Sequence, residues 1–231
     1  MADRSKPQDQ ARGREASGFS FALEEKDGRL WLAALHRPEW TPICADWLNA
    51  EMHSRVRAGR RQLLARALGL AKNPDQEILD ATAGLGRDGW TLAALGARVT
   101  LCERTLQLYA LQRDARARAS AQAPEIAARV ELLQADAHAV LAGARRWDAV
   151  YLDPMYPHRG KSALPQKEMQ LLRELTGGDD DADALLAPAL ACARRRVVVK
   201  RPPHAPHLDG RRPALSMESA QARFDIYLAA V

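Results

Sequence analysis

From Pro74 to its end the chain alternates apolar strand-like runs with helical ones, and this constrains the fold more than any other feature. EILDATAG, ARVTLCER, VELLQAD, WDAVYLDP and RRVVVKRP each read as a strand. RDGWTLAALG, closed by Gly96, TLQLYALQRDARARAS, KEMQLLRELTG and DDDADALLAPALACARR read as helices between them. Such alternation predicts a parallel sheet covered by helices on both faces. PALSMES and RFDIYLAAV add a terminal hairpin at the sheet edge, which brings the expected strands to seven and departs from a plain doubly wound sheet.

With 231 residues, 47% of them hydrophobic, the chain has room for one large α/β domain and a modest extension. Residues 1–18 are polar throughout and predict a disordered tail without the apolar stretch of a secretory signal. Residues 19–73 form the extension. Its first part, FSFALEEKDGRLWLAA, alternates around Asp27-Gly28 and predicts a hairpin, because a tight primed turn needs positive φ. Trp47, Leu48, Met52, Val56, Leu63, Leu64, Ala67 and Leu68 then recur at helical spacing, broken near Ala58-Gly59. Arg55, Arg57, Arg60, Arg61 and Arg66 are interleaved with them, either as a solvated face or as a contact surface for nucleic-acid phosphates. Residues 74–231 form the main domain.

The formal net charge of +5 favours a polyanionic partner without identifying one. Three well-separated cysteines, Cys44, Cys102 and Cys192, fit neither a disulfide framework nor a zinc site and point to a reducing cytoplasm. No apolar run approaches the roughly 20 residues that span a membrane. His138, His158, His204 and His207 have no ligand spacing, so no metal is expected. Asp179, Asp180, Asp181 and Asp183 are expected to sit at a helix N-terminus, where the dipole favours carboxylates.

Within DATAGLGRDG, residues 84–89 match G-x-G-x-x-G, and Glu103 ends the following strand. Glycines let a backbone approach a nucleotide, and an acid at the next strand tip can accept both ribose hydroxyl protons. The match suits NAD as well as S-adenosylmethionine. Asp80 and Asp88 discriminate, because they would repel a pyrophosphate but suit a sulfonium and an amino-acid ammonium. Asp136 ends the third strand of this series, where its carboxylate could hold an adenine amine and the Ala137 amide a ring nitrogen. Three consecutive strands thus end in an acid at the edge where α/β sheets bind ligands.

The fourth ends in VYLDPMYPH. An exocyclic base amine is a poor nucleophile, since its lone pair is delocalised into the ring, and acceptors for its two N–H protons make that pair available. The Asp153 carboxylate and the Pro154 carbonyl can serve, while Tyr156 offers a stacking face for an extruded base. Pro154 fixes φ and Pro157 extends Tyr156, which stiffens the loop; Met155 stands where a second proline is usual. Lys161, Ser162 and Lys167 could meet RNA phosphates, and Lys200 and Arg201 could contact the substrate backbone.

DATAGLGRDG, LCER, VYLDPMYPHRGKSALPQKEM, VVVKRP and RFDIY together resemble the RsmJ family of small-subunit ribosomal RNA guanine-N2 methyltransferases, across residues 78–228. The resemblance implies an α/β, class I (Rossmann-like) methyltransferase fold that uses S-adenosylmethionine. It also implies methylation of one guanine near the 3′ end of 16S RNA, guanine 1516. Carried onto this chain, the cofactor contacts fall on Gly84, Arg87, Asp88, Glu103, Arg104, Asp136, Ala137 and Asp153. Two departures stand out: the family often has two serines where this chain has Asp136-Ala137, and its Gly-rich basic stretch is shortened here to SRVRAGRR. Other expectations compatible with the residues are an adenine-N6 or cytosine-N4 methyltransferase, an NAD-binding enzyme, or a cofactor-binding RNA chaperone.

Overall fold

The computed structural model describes residues 20–155, 167–178 and 181–229. The tail expected at 1–18 lies outside these residues, as do Tyr156, Pro157, His158, Lys161, Ser162, Asp179 and Asp180.

The chain opens with a hairpin, β1 (Phe21–Lys26) and β2 (Arg29–Ala34), whose turn residues Asp27 and Gly28 both take positive φ, as a primed turn requires. Helix α1 (Ala50–Arg57) and helix α2 (Leu63–Leu68) follow, separated by a tight turn at Gly59, φ +66°. Helix α1 starts later than the apolar periodicity predicts. Asn49 caps it by accepting the Met52 amide at 2.8 Å, so Trp47 and Leu48 precede the helix rather than lie on it.

The remaining elements run β3 (Glu77–Asp80), α3 (Arg87–Ala94), β4 (Arg98–Glu103), α4 (Leu106–Gln122), α5 (Pro124–Ala127), β5 (Val130–Gln134), α6 (Ala137–Ala142), β6 (Trp147–Leu152), α7 (Lys167–Thr176), α8 (Leu186–Cys192), β7 (Ala193–Arg201), β8 (Leu215–Glu218) and β9 (Arg223–Leu228). They build the seven-stranded sheet in the order β5-β4-β3-β6-β7-β9-β8. The first five strands of that order pair in parallel, and β9 and β8 complete the sheet as the antiparallel terminal hairpin. Strand order reverses between β3 and β6, which opens a crevice at their carboxyl ends, where α/β sheets bind ligands.

Alternate side chains of the central strands supply two apolar cores. Ile78, Val99, Leu101, Ala149 and Val198 face α2, α3, α4 and the N-terminal segment, while Leu79, Val150, Leu152, Val197 and Val199 face α6 and α8. Leu32, Ile43, Trp47 and Met52 belong to the first of these, so the N-terminal segment shares a core with the main sheet. Of the acidic run, Asp181 stands at the N-cap and Asp183 in the first turn of a short helix, Ala182–Leu185, as expected, and both have further partners: Asp181 accepts from Arg104 Nη1 at 3.0 Å and Asp183 accepts the Asp209 amide at 2.9 Å. No helix among the described residues is long and apolar enough to cross a membrane.

The loop after β7 is anchored by one buried ion pair. Arg223 donates to Asp225 through Nε at 2.8 Å and Nη2 at 2.9 Å, and to the carbonyls of Pro203 at 2.7 Å and Ala205 at 2.8 Å. Asp225 is fully buried and also receives Ser216 and His207. Burial opposes its ionisation, but Arg223, Ser216 and His207 outweigh it and hold the carboxyl below the usual range. Its stabilisation is therefore present at neutral pH and fades as pH falls through that depressed value. Asp225→Asn is expected to lower unfolding free energy by about 3–5 kcal/mol at pH 7, because Arg223 is left buried without its counter-charge. In urea titrations the gap from wild type should narrow in acid.

Candidate active site

Strand β3 stops at Asp80, and the chain crosses to α3 through a turn built on Gly84 (φ +55°) and Gly86 (φ +73°). Three side chains clamp this turn. Glu103, at the tip of β4, accepts the Gly84 amide at 2.9 Å with one oxygen and the Thr105 amide at 2.7 Å with the other. Gln112 donates to the Gly84 carbonyl at 2.7 Å, and Trp47 Nε1 donates to the Leu85 carbonyl at 2.8 Å. Trp47 also stacks on Trp90 at 5.2 Å and closes on Gly86 so tightly that an added Cβ would lie 2.7 Å from its ring. The third glycine of the motif serves helix packing instead. A Cβ at Gly89 would lie 2.1 Å from Leu101, so glycine there lets α3 press onto β4.

An open cavity of about 470 Å³ lies over these strand ends. Gly84, Glu103 and Asp136 line one side, and Asp153, Pro154 and Lys200 line the other. Asp136 caps α6 by accepting the His138 amide at 2.8 Å, which leaves the carboxylate at the rim beside the Ala137 amide. Asp80 forms the floor and is 1% exposed. Burial, then Asp88 and Asp153, push its carboxyl well above the usual range, against the pull of the Thr82 amide and Lys200. A buried acid of this kind is complemented by a cationic ligand group.

Asp153 follows β6 directly. Its amide donates to Thr82 Oγ1 at 2.6 Å, which ties the loop to the glycine turn, and its Oδ2 accepts from Lys200 Nζ at 2.8 Å. Lys200 reaches Asp88 Oδ2 at 3.1 Å, where the Tyr151 hydroxyl donates at 2.7 Å, and Arg55 pairs with the other oxygen of Asp88. Burial works against ionisation of Asp88, but Lys200, Arg55 and Tyr151 hold it well below the usual carboxylate range. Burial raises Asp153, and Lys200 counters that rise. Burial also works against the Lys200 ammonium, and the two carboxylates more than reverse it.

The structure thus brings Gly84, Glu103, Asp136, Ala137, Asp153 and Pro154 around one cavity. Arg87 and Arg104 reach the same cavity with their guanidinium groups engaged elsewhere: Arg87 grips Glu168 of α7 at 2.6 and 3.0 Å, and Arg104 holds Asp181 and the Gly178 carbonyl. The Asp88 carboxylate is filled by Arg55, Tyr151 and Lys200. Lys200, expected at the substrate backbone, instead turns inward to Asp153, because two carboxylates stand beside the end of β7. Arg201 is buried and donates to the Pro206 carbonyl at 3.2 Å. Of the interleaved arginines, Arg55 joins the site, Arg60 donates to the Leu95 carbonyl at 2.9 Å, and Arg57, Arg61 and Arg66 are exposed. Trp47, Gln112, Thr82 and Tyr151 carry no sequence signal of a role here. Lys167 donates to the Glu39 carbonyl at 3.0 Å. Among the described residues no group of three or more His, Cys, Asp or Glu could hold a metal ion.

Residues 9–229 match the family described as "Putative SAM-dependent methyltransferase". The ribosomal RNA small subunit methyltransferase J of Chromohalobacter salexigens is 45% identical over 95% of this chain and 88% of its own length. That of Nitrosococcus oceani is 50% identical over 84% of this chain and 80% of its own. Among solved structures, a SAM-dependent methyltransferase from Neisseria gonorrhoeae superposes with a TM-score of 0.71 at 31% identity, covering 93% of this chain and 85% of that one.

Proposed function

The chain belongs to the ribosomal RNA small subunit methyltransferase J family, and from that premise we propose that it methylates the exocyclic N2 amine of one guanine in 16S RNA, guanine 1516 by the resemblance of its motifs. It is a methyltransferase of small-subunit ribosomal RNA, and its cofactor is S-adenosylmethionine. A cytoplasmic site of action, with 16S RNA or the small subunit as partner, belongs to the same proposal.

The observation that carries the choice of an amine is Asp153: a carboxylate at the tip of β6, 36% exposed to the cavity, fixed through its amide by Thr82 and through its side chain by Lys200. The residues on the opposite wall fit the cofactor. We assign Glu103 to the ribose hydroxyls, Asp136 and the Ala137 amide to the adenine edge, and Asp80 to the positive charge, all of them residues that line the cavity. Bound S-adenosylmethionine supplies an electrophilic methyl on a sulfonium. Asp153 and the Pro154 carbonyl accept the two N–H protons of the amine, which aims the nitrogen lone pair at that methyl. Methylation would leave the nitrogen cationic, and Asp153 or water would take its surplus proton. Tyr156 is assigned the stacking role from its position in the motif.

Incubating the protein with S-adenosylmethionine and unmethylated 16S RNA or small subunits, then digesting to nucleosides, tests this reading. N2-methylguanosine is the expected product. N6-methyladenosine or N4-methylcytidine in its place would assign the loop to another base.

A further inference from the structure

We propose that Lys200 is the positioning residue for Asp153: its ammonium, anchored on Asp88, fixes the rotation of the Asp153 carboxylate and keeps it a pure hydrogen-bond acceptor. This rests on the reading of Asp153 as acceptor for the base amine.

Three observations support it. First, the Asp153 backbone is already set by the hydrogen bond its amide donates to Thr82 Oγ1, so the side-chain torsion is the freedom left, and Lys200 Nζ takes it up at 2.8 Å. With Oδ2 committed to Lys200, Oδ1 takes no hydrogen bond from the described residues and can receive the amine. Second, Asp88 is a fixed anchor for the lysine, since Arg55 and the Tyr151 hydroxyl also hold its two oxygens. Its further contact with Lys200, at 3.1 Å, holds the ammonium between α3 and the loop after β6. Third, Asp153 sits among other charged groups at the cavity wall. It is faced by Asp80 from β3, Asp88 from α3, Arg55 from α1, Tyr151 from β6 and Lys200 from β7. Burial and Asp88 favour its protonated form, while Lys200 and Arg55 oppose it. A protonated Asp153 would present an O–H donor to an amine that needs acceptors, so the lysine sets the sense of that hydrogen bond as well as its direction.

The test titrates Asp153 directly, by carbon-13 NMR of cofactor-free protein labelled at aspartate, with Asp153→Asn identifying the resonance. In Lys200→Met the midpoint is expected to rise by at least about one pH unit, and in Lys200→Arg to stay within about half a unit, since the charge is retained. Turnover on 16S RNA in Lys200→Met should fall most steeply in acid and regain part of its loss as pH is raised, because removing the cation moves the acid limb to higher pH, while the loss that persists at high pH reads the lost orientation of the carboxylate. Calorimetry with S-adenosylhomocysteine should stay within about threefold of wild type, as Lys200 lies on the far wall from Glu103. In an Asp153→Asn background, where no charge at position 153 needs a partner, Lys200→Met should cost less than about threefold further. An unmoved midpoint, or losses that multiply in the double variant, would overturn the proposal. Should Lys200→Met lose S-adenosylhomocysteine binding, the double variant decides by the same criterion. Wild-type protein that transfers no methyl to RNA, yet whose Asp153 midpoint responds to Lys200→Met, would sink the RNA reading and leave the Lys200–Asp153 linkage standing.

Discussion

Asp153→Ala is expected to lower the rate of methyl transfer to 16S RNA by about 10²–10³-fold at saturating substrates, the range typical of removing one preorganised group from a reacting centre. Affinity for S-adenosylhomocysteine should fall far less than turnover does, because the glycine turn and Glu103 that define the opposite wall do not depend on the Asp153 side chain. The physical basis is the weakness of the nucleophile. An amine conjugated to a purine ring has little lone-pair density, and the barrier falls when its protons are drawn in-plane by fixed acceptors. Alanine removes one acceptor and also leaves Lys200 facing the amine, a donor opposed to a donor, so the variant loses an attraction and gains a repulsion. Single-turnover kinetics with saturating cofactor isolates this step. Near-normal turnover in a variant that binds cofactor would remove Asp153 from the mechanism.

The second large effect is expected at Glu103. Glu103→Ala should weaken S-adenosylhomocysteine binding by about 100-fold, roughly what two charge-assisted hydrogen bonds to a ribose contribute. The carboxylate also holds the turn, through the Gly84 amide at 2.9 Å, and it sets the start of α4 through the Thr105 amide at 2.7 Å. Its loss therefore loosens the loop that approaches the nucleotide as well as deleting the acceptor. Glu103→Gln separates the two contributions. The amide oxygen can keep one backbone contact, so this variant should bind better than alanine and worse than wild type. Equal affinity for all three proteins, measured by calorimetry, would mean that the ribose lies elsewhere.

What is legible in the sequence depends on range along the chain. The parallel sheet is written in local apolar runs and in the helices between them, and the Asp27-Gly28 turn in residues that tolerate positive φ. Glu103, Asp136 and Asp153 are visible because a ligand crevice lies at carboxyl strand ends, and each of these acids ends a strand or follows one within two residues. The inward role of Lys200 is not, although VVVKRP places it at a strand end. Which carboxylates it meets depends on β7 lying beside β6 and on α3 packing against β4, and no local pattern encodes that neighbourhood. Trp47 departs from the helical expectation for a local reason: the apolar spacing runs through Asn49, whose side chain caps the helix after the tryptophan has left it. Released from helical geometry, Trp47 reaches the Leu85 carbonyl, 38 positions away, and braces the glycine turn. Arg55 shows the same limit, since its partner Asp88 is distant in sequence and adjacent only in the folded chain.

The most direct measurement of the central claim is a mass map of methylated guanines in 16S RNA from cells that lack this protein, before and after it is restored. The account predicts that a single N2-methylguanine is missing in the first map and returns in the second, and that restoring the Asp153→Ala variant leaves it missing. An N2-methylguanine map unchanged by loss of the protein, or full restoration by Asp153→Ala, would contradict it.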